Sequence, residues 1–180
     1  VAAGIGEATR AAGLWDETDP KYHLHGLAVA PSDPSIVYVG SVHDTMYPDV
    51  NFTLFGIHIF RSDDGGATFV ERDIGFPIES ISSVNVIVVH PDNPDIVYVG
   101  SEPATVYRTS DGGASWEECS AFRKVSGAEE WSFHWEGRHA HVRDLRLSPE
   151  NPDVIYAGIE VGGILRSPDG GKTWEHLHGA

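Results

Sequence analysis

Three stretches share one pattern: Ser62-Asp63-Asp64-Gly65-Gly66-Ala67-Thr68-Phe69, Thr109-Ser110-Asp111-Gly112-Gly113-Ala114-Ser115-Trp116 and Ser167-Pro168-Asp169-Gly170-Gly171-Lys172-Thr173-Trp174. Each follows a second phrase that also recurs: Pro31 to Gly40 (PSDPSIVYVG), Pro91 to Gly100 (PDNPDIVYVG) and Pro149 to Gly158 (PENPDVIYAG). The leading prolines stand 60 and 58 residues apart. A paired motif at that period marks a repeat architecture, in which each copy is one supersecondary unit that must stack on its neighbours to bury an apolar face.

The chemistry of each phrase indicates its shape. Pro-x-Asp/Asn-Pro is a turn cluster, and the apolar runs on either side of it, Leu27-Ala28-Val29 and Ile36-Val37-Tyr38-Val39 in the first copy, are β-branched and aromatic as strands are. A third strand, such as Val106-Tyr107-Arg108 or Ile164-Leu165-Arg166, leads into the Ser/Thr-x-Asp phrase, and a fourth begins at its final aromatic residue. Within that phrase the hydroxyl of Ser62, Thr109 or Ser167 and the carboxylate of Asp64, Asp111 or Asp169 can take backbone amides. Gly66, Gly113 and Gly171 supply positive φ, and Phe69, Trp116 and Trp174 offer apolar area to an adjoining sheet. These residues therefore read as turn staples. The spacing predicts an all-β chain of four-stranded antiparallel meanders over residues 21–75, 76–122 and 123–180, with residues 1–20 as remnant or closing strands.

Composition sets limits. The 180 residues carry 27 acidic and 12 basic side chains, a formal charge of −15, which opposes binding to nucleic-acid phosphates or anionic membranes. No apolar run is long enough to span a bilayer, and Val1 opens no signal-peptide pattern; the compartment is left open between the cytoplasm and export after removal of a signal. Cys119 is the single cysteine, which rules out an internal disulfide and a multi-cysteine metal site. No cofactor is expected.

The three phrases match the Asp-box, or bacterial neuraminidase repeat. Over roughly residues 22–178 the chain resembles bacterial sialidase-like and glycosyl-hydrolase-like repeat proteins, with further likeness at Ser101 to Ala104, Trp131 to Phe133, His141 to Arg143 and Ile159 to Gly163. The resemblance implies a β-propeller, the fold on which sialidases, xyloglucan-cleaving glucanases, sortilin-type receptors and photosystem II assembly factors carry this box. Propellers close with about four to eight blades. Three blades thus imply a partial ring, completed by further blades, by self-association or by a second chain.

Residues that build the repeat recur, so departures from it are where function is sought. Relative to the other copies, the first has 13 extra residues within 42–55, between its second and third strands, and 11 extra precede the third copy, within 119–138. In a meander both insertions fall at the end opposite the boxes, where rigid scaffolds carry binding groups. Unmatched polar residues gather at the same end. They are His23, His25, His139, His141 and Arg143, with Glu102 and Glu160 just beyond the phrase glycines, Asp44 in the first insertion and Trp131, Phe133, His134, Trp135 and Arg138 in the second. Counting back four residues from each turn proline gives Leu27, Ile87 and Leu145, expected in the core, while the repeating Arg61, Arg108 and Arg166 read as architectural.

The expected ligand face is therefore His23, His25, Glu102, Trp131, His139, His141, Arg143 and Glu160, with Glu102, Glu160 and Asp44 as the carboxylates available for catalysis. The His-x-His pairs His23/His25 and His139/His141 place two rings on one strand face, a geometry that permits metal ligation; no metal is assigned. The reading is a sialidase-like propeller acting as a ligand- or protein-binding scaffold, with a possible carbohydrate ligand. The alternative is a glycoside hydrolase acting on a polysaccharide or sialoside-like glycan, since such enzymes use paired carboxyl groups. No Arg-Ile-Pro segment of the sialidase type occurs.

Overall fold

The computed structural model describes residues 23–42, 57–131 and 139–177. These form twelve strands, with no α-helix among the described residues and two 3₁₀ turns at Phe122–Lys124 and Ala128–Glu130. Blade 1 comprises β1 (His23–Val29), β2 (Val37–Val42), β3 (Ile59–Ser62) and β4 (Val70–Glu71). Blade 2 comprises β5 (Ser83–Val89), β6 (Val97–Glu102), β7 (Val106–Thr109) and β8 (Glu117–Glu118), and blade 3 β9 (Val142–Leu147), β10 (Ile155–Ile159), β11 (Gly163–Ser167) and β12 (Glu175–His176). Every blade is an antiparallel meander, and a single pair, Val42 at the end of β2 with Ser83 at the start of β5, joins the first two. Residues 1–20 lie outside the described residues.

The turns behave as their chemistry requires. In the hairpin, the side-chain oxygen of Asp33, Asn93 or Asn151 accepts the amide two residues on, at 3.0, 3.0 and 3.1 Å. In the Asp-Gly-Gly turn, Asp64 Oδ1 accepts the Thr68 amide at 2.8 Å, and its Oδ2 accepts the Thr68 hydroxyl at 2.6 Å. The Ser62 hydroxyl donates to Asp64 and accepts the Gly66 amide at 2.8 Å. Asp111 with Thr109 and Ser115, and Asp169 with Ser167 and Thr173, repeat the pattern. Gly66, Gly113 and Gly171 sit at φ of 91°, 84° and 91°, a region that only glycine adopts without strain.

The amides of Gly65, Gly112 and Gly170 then donate to the carbonyls of Ser35, Asp95 and Asp153, tying each Asp-Gly-Gly turn to the hairpin of its own blade. Both turns thus share one end of the blade, and the β2–β3 connection and the start of β1 share the other. Donation from the Thr68 and Ser115 hydroxyls holds Asp64 and Asp111 at about 2, below the ordinary 3.8. At Asp169 partial burial opposes this, and the Thr173 hydroxyl still brings the carboxyl down. The sign follows: the staples contribute fully above the ordinary carboxylate value, and the contribution is lost as pH falls toward the folded one.

Successive blades are clamped by three repeating contacts. The Tyr38 phenol of blade 1 donates to Pro94 O of blade 2 at 3.0 Å, and Tyr98 of blade 2 reaches Gly170 O of blade 3 at 3.4 Å. Trp116 donates its indole N–H to Arg72 O of blade 1 at 2.7 Å and stands edge-on to Phe76, while Trp174 stands edge-on to Phe122 of blade 2. The phrase glycines form the closest approach. A Cβ on Gly40 would lie 2.1 Å from Val84, and one on Gly100 2.6 Å from Val142, so the next blade's first strand seats on bare backbone. Three apolar clusters result among the described residues: one between blades 1 and 2, one between blades 2 and 3, and a smaller one on blade 1 formed by Val37, Val39, Phe60 and Phe69. The repeating arginines join this frame, with Arg61 bonded to Tyr38 and to Asp95 of blade 2, and Arg108 and Arg166 held by Glu117 and Glu175.

At the far side of blade 3 the same positions are uncovered. Tyr156 is 38% exposed against 0% and 1% for Tyr38 and Tyr98, and Ile164 is 52% exposed against 0% for Ile59 and Val106. A Cβ on Gly158 would meet nothing closer than Asp144 at 3.9 Å. Leu27, expected in the core, is a correction: it is 50% exposed where Ile87 and Leu145 are 6% and 1%. That position faces the preceding blade, and among the described residues blade 1 has none. Gly100→Ala is expected to cost about 1–3 kcal/mol in urea unfolding, because Val142 and Val86 leave no room for a methyl group.

Candidate functional site

The end opposite the Asp-Gly-Gly turns carries a chain of polar side chains at the junction of blades 2 and 3. Glu102 ends β6, and Glu160 follows β10. Backbone bonds bring them to one place: Ala104 N–H donates to Ala140 O across the junction, and Glu160 N–H donates to His141 O. His141 Nε2 then meets Glu160 Oε2 at 2.6 Å, with Nδ1 3.7 Å from Glu102 Oε2. Arg143 Nε lies 3.4 Å from the same Glu160 oxygen. The structure thus assembles four of the eight residues expected on the ligand face. His141 is 16% exposed and Arg143 68%, so the imidazole is a fixed wedge and the guanidinium is open to solvent.

Local backbone shapes this cluster. Val161, next to Glu160, is held at φ 58°, a left-handed conformation costly for a β-branched residue. Its neighbour Gly162 is packed against Ile159 and Trp131. The turn therefore presents Glu160 toward His141 at the expense of backbone strain.

The other expected residues fall elsewhere. His25 is exposed at the junction of blades 1 and 2, where its Nδ1 stands 3.5 Å from the Ser83 hydroxyl, which also bonds to Asn85. Ser83 is the cross-strand partner of Glu102, so the His25 group and the Glu102 group lie along one rim. His139 is exposed. Trp131 is half-buried against Phe122, with ring centroids 5.6 Å apart, and against His176; its indole closes the outer part of the second core. The side chain of His23, and Asp44, Phe133, His134, Trp135 and Arg138, lie outside the described residues.

Among the described residues, three metal-ligating groups converge at His58, Glu71 and Asp73 in blade 1. Sequence reasoning missed this trio, although His58 directly follows the first insertion. Cys119 is buried, and burial pushes its thiol up to about 12, which makes it a packing group rather than a nucleophile.

No protein-family model matches the chain. It is 25% identical over 171 residues to a probable oligoxyloglucan-reducing end-specific xyloglucanase of Neosartorya fischeri, which covers 92% of this chain and 19% of that protein. In three dimensions it is similar to the GH74 xyloglucanase from Xanthomonas campestris, with a TM-score of 0.61 at 18% identity over 87% of this chain and 24% of the other. A second neighbour, YCF48 bound to D1 peptide, has a TM-score of 0.51 at 16% identity and covers 86% and 40%. Both neighbours are β-propellers. The described residues form three blades of such a fold. It spans about a fifth of the length of the xyloglucanase it matches.

Chemically, the rim offers two carboxylates as acceptors for hydroxyl groups and one exposed guanidinium as a donor, with an imidazole between the carboxylates. The protein carries no aromatic platform beside this group among the described residues, since the Trp131 ring is engaged with Phe122 and His176.

Proposed function

We propose that this chain is a segment of a carbohydrate-active Asp-box propeller of the xyloglucanase kind, which takes a neutral polysaccharide along the rim formed by Glu102, His141, Arg143 and Glu160. The observation that carries this reading is the carboxylate–imidazole–carboxylate group with its exposed arginine, set at the end opposite the turns. Its support is one xyloglucanase relative similar in sequence and another similar in fold.

The role of the two carboxylates follows from the imidazole. A glycosidase pair flanks the scissile bond across a gap of about 5–9.5 Å, depending on the stereochemical outcome. His141 occupies the space between Glu102 and Glu160, so within this segment they act as sugar-binding groups. Hydrolysis, the second reading, draws at least one carboxylate from outside this pair. Isothermal titration with a xyloglucan oligosaccharide is expected to show binding that the double variant Arg143→Ala, Glu160→Gln weakens at least about tenfold, with little change in melting temperature because Arg143 is open to solvent and glutamine keeps the size of Glu160. Unchanged affinity in that variant would overturn the site, and binding lost only together with folding would assign these residues to the frame.

The open face of blade 3 leads to a second proposal: a further blade covers Tyr156, Gly158 and Ile164, and where residues 1–180 stand alone a second copy of them takes that place. The bare backbone at Gly158 matches the seats at Gly40 and Gly100 that neighbouring blades fill. Native mass measurement at micromolar concentration is expected to give a species above 19.5 kDa that Gly158→Leu returns to 19.5 kDa. A monodisperse 19.5 kDa wild-type chain contradicts it.

A further inference from the structure

Blade 1 carries a group of side chains that neither the repeat nor the rim accounts for. His58 precedes β3, and Glu71 and Asp73 lie on and just beyond β4. The β3–β4 ladder pairs Phe60 with Glu71 and continues through the bond from Arg72 N–H to Ile59 O at 2.7 Å, which sets His58 across from Asp73. Glu71 and Asp73 are two residues apart in extended chain and so project from one face. The result is a convergence of three donors: His58 Nδ1 is 2.7 Å from Asp73 Oδ2 and 3.4 Å from Glu71 Oε1, and all three ligand atoms lie within 4.8 Å of one another.

Two further observations bear on it. One ring nitrogen can supply a single proton, yet two carboxylate oxygens converge on it. A divalent cation would satisfy all three lone pairs at once and offset two negative charges. In addition, the group is not demanded by the blade. At the corresponding places blade 2 has Thr105, Glu118 and Ser120, and blade 3 has Gly163 and His176 in the first two. Only the glutamate recurs, so a blade folds without the histidine and the aspartate. Both of these are largely buried, at 15% and 13% side-chain exposure, and are held in place before any ligand arrives.

We propose that His58 Nδ1, Glu71 Oε1 and Asp73 Oδ2 form a binding site for a divalent transition-metal ion of the zinc type, separate from the Glu102–Glu160 rim. One imidazole and two carboxylates suit zinc, whose bonds of about 2.0–2.2 Å place tetrahedral ligand atoms roughly 3.3–3.5 Å apart. The 2.7 Å contact must open slightly and the widest separation must close, and Glu71, at 52% exposure, is the ligand with freedom to move. Three protein ligands leave a fourth position for water.

The test is titration of the metal-stripped chain with zinc chloride, followed by calorimetry and by the imidazole signals of His58 in proton–nitrogen spectra. The expected result is one equivalent bound at micromolar concentration, a shift of the His58 ring nitrogens that saturates at one equivalent, and a rise in melting temperature with zinc. His58→Gln and Asp73→Asn are each expected to weaken binding at least about tenfold. Glu71→Gln, at an exposed position that folding does not need, is expected to weaken it several-fold with an unchanged melting temperature in the absence of metal. No binding up to about 100 µM zinc overturns the proposal. So does binding that leaves the His58 signals in place, or that survives Glu71→Gln and Asp73→Asn unchanged, since the ion would then reside on other histidines. Calcium binding equal to that of zinc would also contradict it, because calcium selects oxygen ligands.

Discussion

The carboxylate of Asp64, Asp111 or Asp169 inside its turn is the constraint on which the blades depend. In a single step it gathers the amide and the hydroxyl four residues on and the hydroxyl two residues before it. That closure fixes where the chain leaves the third strand of its blade and starts the fourth, and it aims the aromatic residue that follows. For Trp116 and Trp174 the target is the segment after the outer strand of the preceding blade. The turn's first glycine is bonded to the hairpin of its own blade, so a local motif sets both the internal geometry of a blade and its docking on a neighbour.

Docking in turn explains the composition of the other phrase. Its tyrosine buries a ring between blades and gives its hydroxyl to the next blade, and its glycine is kept bare because a valine of the next blade lies on it. Where the described residues hold no next blade, the same positions change character. Tyr156, Ile164 and Gly158 repeat the sequence of buried positions and are nonetheless open. A residue's burial in this architecture is therefore a property of its blade's place in the stack as well as of its place in the repeat.

This distinction marks how far the sequence could be read. The turns, the strands and the end of the blade on which insertions fall were legible because they depend on contacts a few residues apart. Arg61 was correctly read as architectural from its recurrence, but its reach to Asp95 in blade 2 was not visible, since Arg108 and Arg166 bond within their own blades. Leu27 holds the same place in the repeat as Ile87 and Leu145, yet it stays open because among the described residues no preceding blade lies against it. On the rim, Glu102, His141, Arg143 and Glu160 were named together, whereas the order in which they touch depends on the Ala104–Ala140 bond between blades. Trp131 was grouped with them as an aromatic in an insertion, and its ring instead seals the second core. His58 and Asp73 escaped notice because cross-strand partners far apart in the chain leave no spacing to count.

The division of labour that emerges is an end held by the Asp-Gly-Gly turns and an opposite end where the rim and the blade 1 trio both lie. Everything in it rests on the aspartates being ionised and fully bonded within their turns. Following the side-chain carboxyl carbon signals of Asp64 and Asp111 by nuclear magnetic resonance through an acid titration tests this most directly. The expected result is that both titrate near 2, well below the ordinary 3.8, while the protein is still folded. Midpoints at the ordinary value would show carboxylates that are merely solvated, and would contradict the role assigned to the turns.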